Sequence, residues 1–127
     1  MKAYSGYEAM KNQRKDTKIV VANYTEDPLI DNGNTYSNKG ATGTVIVKLA
    51  PALVGAKRSF VVEATQDLQI RPNGTEIICL TTGAVQAAGV GIQADLIGES
   101  LELECVEAGK WFVKNFIGSW TTFAAAS

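Results

Sequence analysis

The stretch Leu101–Lys114, which reads LELECVEAGKWFVK, decides the fold. Leu101, Leu103 and Cys105 alternate with two glutamates, and this period of two is typical of a strand with one buried face and one solvent-exposed face. Glu107–Lys110 carries a glycine between polar residues and predicts a turn. Trp111–Lys114 then returns as the second arm of a β-hairpin.

Similar runs occur on both sides of this hairpin. Val45, Val47 and Leu49 alternate with less apolar neighbours over Thr42–Leu49, and Ser59–Ala64 repeats the pattern. Arg71-Pro-Asn-Gly74 predicts a hairpin turn into a strand at Glu76–Leu80, because Asn and Gly tolerate positive φ. Further short strands are expected at these segments: Lys18–Ala22, Gly91–Ala94 and Ile117–Phe123.

The chain has 127 residues, the size of a single domain with one core. Turn signals between many short strands favour an all-β fold, and we expect a small antiparallel sandwich or barrel-like domain over residues 17–127. Residues 1–16 are polar and are expected to form an extended N-terminal arm. The arm holds four cations against two anions, whereas the whole chain has a formal net charge of -1.

Composition excludes several functional classes. Charges are interspersed, so the chain lacks the basic surface that binds phosphate backbones, and we expect no nucleic-acid partner. No apolar run approaches the roughly 20 residues that span a bilayer, and the first residues do not resemble a signal peptide. We expect a soluble protein made in a cytoplasm, without a membrane partner, in which Cys79 and Cys105 are reduced and buried.

The absence of histidine argues against catalysis. Without an imidazole, Ser-His and Cys-His nucleophile systems are excluded, and two cysteines cannot supply a four-cysteine zinc site. Glu102 and Glu104 share one side of a strand and leave a small hydrolase open as an alternative, although a half-solvated strand gives the same pattern. Asp27, Asp31 and Asn32 depart from the spacing of a calcium loop and indicate a solvated turn. We therefore expect no enzyme, cofactor, metal or small-molecule substrate.

Binding to other proteins is the expected role. The strand faces opposite the core carry Ile46, Val61 and either Ile77 or Ile78, of which Ile77 is the candidate, and this is more apolar surface than a solvent-exposed sheet face normally shows. Trp111 and Trp120 are further candidates for a subunit interface. The arm supplies candidate contacts to a separate protein, with cations around aromatic and apolar anchors. These are Lys2, Tyr4, Tyr7, Met10, Lys11, Arg14 and Lys15.

Several of these motifs carry a resemblance to a known group. Gly40–Trp120, with GATGTVIVKL, FVVEATQDLQIRPNGTEIICL, GESLELECVEAGKWFV and the closing GSW, resembles a β-rich module that recurs in structural proteins of tailed bacteriophages. The resemblance implies a β-fold and trimeric association, and it names no active residues. A short, freestanding copy is similar to the decoration, or cement, proteins of phage heads.

The resemblance therefore implies a homotrimeric capsid decoration protein on the surface of the virion head. Its partner would be the major capsid protein, and its arm would grip the shell. The alternative is a tail, baseplate or fibre-type adhesion component that holds a host glycan on Trp111 or Trp120.

Overall fold

The structure, a computed structural model, describes residues 17–31, 33–80 and 87–123. Eleven strands lie in these residues and form two sheets. The six-stranded sheet has the order β1-β3-β5-β9-β10-β7, and the five-stranded sheet has the order β11-β8-β6-β4-β2. The strands are β1 Thr17–Ile19, β2 Tyr24–Thr25, β3 Thr35–Ser37, β4 Val45–Lys48, β5 Lys57–Val61, β6 Leu68–Arg71, β7 Ile77–Cys79, β8 Gly91–Ala94, β9 Ser100–Glu107, β10 Lys110–Ile117 and β11 Thr121–Phe123.

The first six strands wind as a coil between the two sheets. Odd-numbered strands enter the six-stranded sheet and even-numbered strands the five-stranded one, and each of the strands β1 to β4 pairs in parallel with the strand two positions later. Tyr24, Val47 and Ile70 lie side by side, each 23 residues after the previous one. One turn of the coil thus contributes one strand to each layer.

Antiparallel pairings extend both sheets, and the six-stranded sheet ends in β7, which is parallel to β10. β9 pairs with β5 and β10, and the hairpin predicted from Leu101–Lys114 is confirmed. β8 pairs with β6 and β11 in the opposite layer. The strand predicted at Gly91–Ala94 is therefore confirmed as β8.

The core lies between the two sheets, where the alternating sequence patterns predicted it. Val45, Val47 and Leu49 are at most 1% exposed, and Leu101, Leu103 and Cys105 point into the same layer. Tyr36 stacks on Phe60 with ring centroids 5.3 Å apart. The all-β sandwich is confirmed, and Cys79 and Cys105 are free and buried. No helix in the described residues is long and apolar enough to cross a membrane.

Two details of the predicted fold are wrong. The sheets are mixed, with five parallel and four antiparallel pairings, because the coil places successive strands in different layers. The hairpin expected across Arg71–Gly74 is absent, since β6 and β7 lie in different sheets. A turn does form at these residues, but it leads the chain from one sheet to the other instead of joining two strands of one sheet. Glu76 anchors this crossover by accepting a hydrogen bond from the Ala52 amide at 2.9 Å.

Close packing on the outer face of the five-stranded sheet leaves no space for a side chain at Gly91. A Cβ built there lies 2.3 Å from Phe123 Cζ and 2.5 Å from the Ile70 carbonyl oxygen. The Phe123 ring covers this position and is itself covered by the Arg71 guanidinium, 4.4 Å from the ring centroid.

Gly91→Ala is therefore expected to lower the free energy of unfolding by about 1–3 kcal/mol, because the neighbouring backbone carbonyl cannot move aside. Denaturant unfolding, followed by tryptophan fluorescence, measures the change. Gly43→Ala is the matched control, since a Cβ at Gly43 meets nothing within 4 Å. Equal midpoints for the two variants would contradict the prediction.

Candidate interaction surfaces

Glu102 and Glu104 lie on the wetted face of β9. Glu102 is exposed, and Glu104 Oε1 lies 3.8 Å from Lys114 Nζ on β10. Lys57 is the strand neighbour of Glu104 on the other side. The two carboxylates thus belong to a mixed-charge sheet surface, as the half-solvated strand pattern predicted.

A buried ion pair lies beneath the β4–β5 connection. Glu26 Oε2 accepts hydrogen bonds from Arg58 Nε at 2.6 Å and from the Tyr36 hydroxyl, while Glu26 Oε1 accepts from the Ala50 amide at 2.8 Å. Burial and the Glu26 carboxylate raise the pKa of Tyr36, so its hydroxyl stays protonated and donates. The Arg58 guanidinium also lies 5.4 Å from the centre of the Trp111 ring. These side chains contact one another inside the protein, so their role is structural.

Asp31 likewise holds a turn instead of offering ligands to a cation. It is 1% exposed, so the turn is not solvated there as the sequence indicated. Its carboxylate accepts from the Tyr24 hydroxyl at 2.5 Å, the Asp27 amide at 2.7 Å and Asn34 Nδ2 at 2.9 Å. In the ranges 17–31, 33–80 and 87–123, no cluster of three Cys, Asp or Glu side chains could hold a metal ion. Asn32 lies outside the described residues.

Glu99 ties two turns together at the far end of the sandwich. Its Oε1 accepts hydrogen bonds from the amides of Asp95 at 3.2 Å and Leu96 at 2.8 Å, and its Oε2 accepts from the Ser119 amide at 2.5 Å. Gly118 makes room for it, since a Cβ there would lie 2.4 Å from the carboxylate. The β8–β9 and β10–β11 turns are therefore fixed side by side.

The connections between strands gather at two opposite ends of the sandwich, which we name poles. Hydrogen bonds between turns define them, such as Gly109 N to Ala52 O at 3.0 Å in one and Gly98 N to Val62 O at 2.9 Å in the other. Pole 1 comprises residues 26–31, 33–34, 49–56, 72–76, 87–90 and 107–109. Pole 2 comprises residues 20–23, 38–44, 62–67, 95–99 and 118–120.

In the described residues, every exposed large hydrophobic side chain lies either in a pole or in the last two residues of a strand that leads into a pole. At pole 1 these are Leu29, Ile30, Leu53, Val54 and Val106. At pole 2 they are Ile19, Val21, Leu96, Ile97, Phe116 and Ile117. Their exposure ranges from 51% to 90%, with Leu29 the highest. The exposed apolar side chains thus lie towards the two ends of the molecule, and next to pole 2 they extend onto the outer face of the six-stranded sheet, where Phe116 and Ile117 line a groove.

Sequence reasoning missed these residues, although they carry a simple signal. Three apolar pairs are each followed by glycine, in Leu53-Val54-Gly55, Leu96-Ile97-Gly98 and Phe116-Ile117-Gly118. The three glycines have φ of 93°, 95° and 93°, the left-handed region that L-residues rarely adopt. Leu53-Val54 and Leu96-Ile97 lie in turns and face solvent, although turns are normally polar, whereas Phe116-Ile117 is the exposed end of β10.

A groove accompanies each apolar end. At pole 1 a groove of about 310 Å³ is lined by Pro28, Pro51, Leu53 and Val54 among others. At pole 2 a groove of about 270 Å³ lies on the outer face of the six-stranded sheet, between Val61 on β5 and Phe116 and Ile117 on β10.

The structure does not bring the predicted interface residues together. Val61 lines the pole 2 groove, whereas Ile46 lies half-buried on the outer face of the other sheet and Ile77 on the edge strand β7. Trp111 is 0% exposed, so it has no surface left for a second subunit. Trp120 is 6% exposed, and its indole N–H donates to Ser100 O at 3.0 Å.

The burial of both tryptophans also removes the flat face that a glycan platform needs. The tail-adhesion alternative therefore loses the two residues on which it was based. The seven candidate arm contacts, Lys2, Tyr4, Tyr7, Met10, Lys11, Arg14 and Lys15, lie outside the described residues.

Comparison of the chain with models of known protein families and with curated protein sequences finds no match.

Arg58→Met is expected to lower the free energy of unfolding by about 3–5 kcal/mol, because it leaves the buried Glu26 carboxylate without its ion-pair partner. Denaturant unfolding at neutral pH measures the effect. Lys57→Met, the exposed neighbour on the same strand, serves as control and is expected to change the midpoint little. A loss below about 1 kcal/mol for Arg58→Met would show that the pair is dispensable.

Glu99 is expected to make the fold sensitive to acid. Burial opposes its ionisation, but hydrogen bonds from the amides of Ser119, Leu96 and Asp95 outweigh burial and lower the pKa below its ordinary 4.5. A lowered pKa in the folded state stabilises the protein above the unfolded pKa, and this stabilisation is lost as the pH falls through the folded value.

Glu99→Gln, which loses an acceptor oxygen, should lower the free energy of unfolding by about 1–3 kcal/mol at neutral pH. It should also flatten the decline in stability below about pH 4.5. Unfolding midpoints measured from pH 3 to pH 7, roughly the range over which carboxyl groups ionise, test both effects. Glu102→Gln, on the exposed face, is the control, and its unfolding midpoints should match those of the unmodified chain at each pH. If the midpoints of Glu99→Gln change with pH in parallel with those of the unmodified chain, Glu99 is not the source of the acid sensitivity.

Proposed function

We propose that the chain is a virion structural protein, a decoration protein that binds and stabilises the assembled head of a tailed phage as a homotrimer. The observation that carries the proposal is the pair of apolar poles. Leu29 is 90% exposed and Val54 69%, and such side chains recur on both ends of the molecule. Clustered exposed apolar side chains mark protein interaction sites, whereas singly scattered ones are ordinary.

A binding role also agrees with the chemistry of the polar side chains. The chain contains no histidine. The buried carboxylates Glu26, Asp31 and Glu99 each accept several hydrogen bonds from the protein itself. Their role is to fix turns, and no group among them is held ready to exchange a proton with a substrate. We therefore propose no catalytic function and no cofactor.

The choice of a phage head as the site of action rests on the sequence resemblance over Gly40–Trp120. The sandwich with its Leu101–Lys114 hairpin is the β-fold that this resemblance implies. A protein that binds only the assembled shell opposes disassembly by mass action, and many weak sites on a repeating lattice add to the effect. The proposed partner is thus the major capsid protein.

The arm is the proposed capsid contact. The described residues begin at Thr17 in β1, an edge strand of the six-stranded sheet. Four cations with interspersed tyrosines and a methionine suit docking onto an acidic protein surface with apolar pockets. Sixteen residues can reach up to about 50 Å when extended.

Deletion of Met1–Asp16 is expected to leave a folded oligomer that no longer binds capsids. The test is co-sedimentation with emptied capsids of the phage that encodes the chain, together with light scattering of the free protein. The full chain should sediment with capsids and should have a mass three times 13.5 kDa in solution.

A control with Lys2, Lys11, Arg14 and Lys15 all changed to Gln keeps the length of the arm and removes its charge. This variant should bind more weakly and with less dependence on salt. Undiminished capsid binding by the deleted chain would remove the arm from the contact. If the full chain does not sediment with capsids, the decoration function itself is wrong.

A further inference from the structure

We propose that the two poles are the two halves of one contact between copies of this chain, so that pole 1 of each copy seats on pole 2 of the next. The proposal rests on the trimeric association in the proposed function and names its interface. A second copy is the occupant of each groove.

The first argument is that the two poles match in apolar character. Pole 1 presents Leu53 and Val54 on a single turn beside a groove, and pole 2 presents Leu96 and Ile97 beside the groove of Val61 and Ile117. Each apolar pair is raised on a turn that ends in a positive-φ glycine. A projecting pair at one end and a groove at the other are the complementary shapes that a head-to-tail contact needs.

Charge complementarity selects a second copy as the partner. Pole 1 itself contains no Lys or Arg; outside the ion pairs Arg58–Glu26 and Lys18–Asp31, its charged residues are Asp27, Glu76 and Glu107. The strand residues directly next to pole 1 add four cations, which are Lys48, Lys57, Arg71 and Lys110. Pole 2 has one cation, Lys39, against Glu63, Asp67, Asp95 and the buried Glu99, and the strand residues directly next to it are uncharged. The basic-leaning end of one copy therefore suits the acidic end of another, whereas two copies of pole 2 repel.

The contact between poles joins two different surfaces. Such a heterologous contact produces either a ring or an open filament, and the trimer of the proposed function requires the ring. The groove next to pole 2 is lined by strand residues, Ser59, Val61 and Asn115 among them, so it opens on the outer face of the six-stranded sheet.

Two paired variants test the contact. Leu53→Ser with Val54→Ser alters pole 1, and Leu96→Ser with Ile97→Ser alters pole 2. Because all four side chains are more than half exposed, both variants should fold, which circular dichroism and unfolding midpoints verify. Each is expected to weaken association by about 100-fold and to run as a monomer of 13.5 kDa in light scattering.

Mixing the two variants distinguishes a head-to-tail contact from other arrangements. The pole 1 variant keeps an intact pole 2 and the pole 2 variant an intact pole 1, so a concentrated mixture should form a species of twice the single-chain mass and nothing larger. A mixture that stays monomeric overturns the proposal. So does a pole variant that assembles fully alone, since its contact would then join like surfaces.

Ile46→Thr is the matched control, because it removes apolar surface from a sheet face and keeps a β-branched side chain. If it dissociates the oligomer while the pole variants do not, the interface is the sheet face and the proposal is wrong. An unmodified chain that is monomeric at every concentration also overturns it. A trimer that fails to sediment with capsids would refute the decoration function and leave the contact between poles intact.

Discussion

The fold depends on side chains that accept hydrogen bonds from backbone N–H groups in the connections between the two sheets. A chain that coils between two sheets must cross from one layer to the other at every turn, and buried amides in such turns have no strand partner. Asn38 Oδ1 accepts from Glu63 N at 2.7 Å and Ala64 N at 3.0 Å, and Glu76 serves Ala52 in the same way. Glu26 and Glu99 repeat the arrangement at opposite poles. Without these side chains the crossovers would leave unpaired polar groups next to the core.

The same constraint produces the apolar ends. Because carboxylates and amides fill the interior of the turns, the apolar pairs of those turns are left facing solvent. Glu99 shows the link directly, since the amide of Leu96 is one of its donors and Ser119 follows the Ile117-Gly118 sequence. Exposing a clustered hydrophobic surface to water is unfavourable for an isolated chain, and this cost is the physical argument for the proposed contact with another protein.

The sequence predicted the fold well where the pattern is local. Alternation identified the buried faces of β4, β5 and β9, and the hairpin at Glu107–Lys110 followed from turn chemistry. It failed where the outcome depends on which layer receives the next strand. Arg71–Gly74 reverses the chain in either case, and the tertiary packing that places Ile78 in the core between the sheets distinguishes a crossover from a hairpin. The exposed apolar side chains were missed for a related reason: strand faces were searched for apolar excess, whereas seven of the eleven in the described residues lie in turns.

The parallel coil also determines where the arm begins. β1, β3 and β5 run in the same direction, with Thr17 next to Thr35 and Thr35 next to Ser59, so Thr17 lies at the pole 1 end of the sheet. Thr17 therefore lies at the same end as Leu53 and Val54. The proposed capsid contact and the proposed contact between poles would stabilise each other if one site orders the other, because coupling between two binding events is reciprocal.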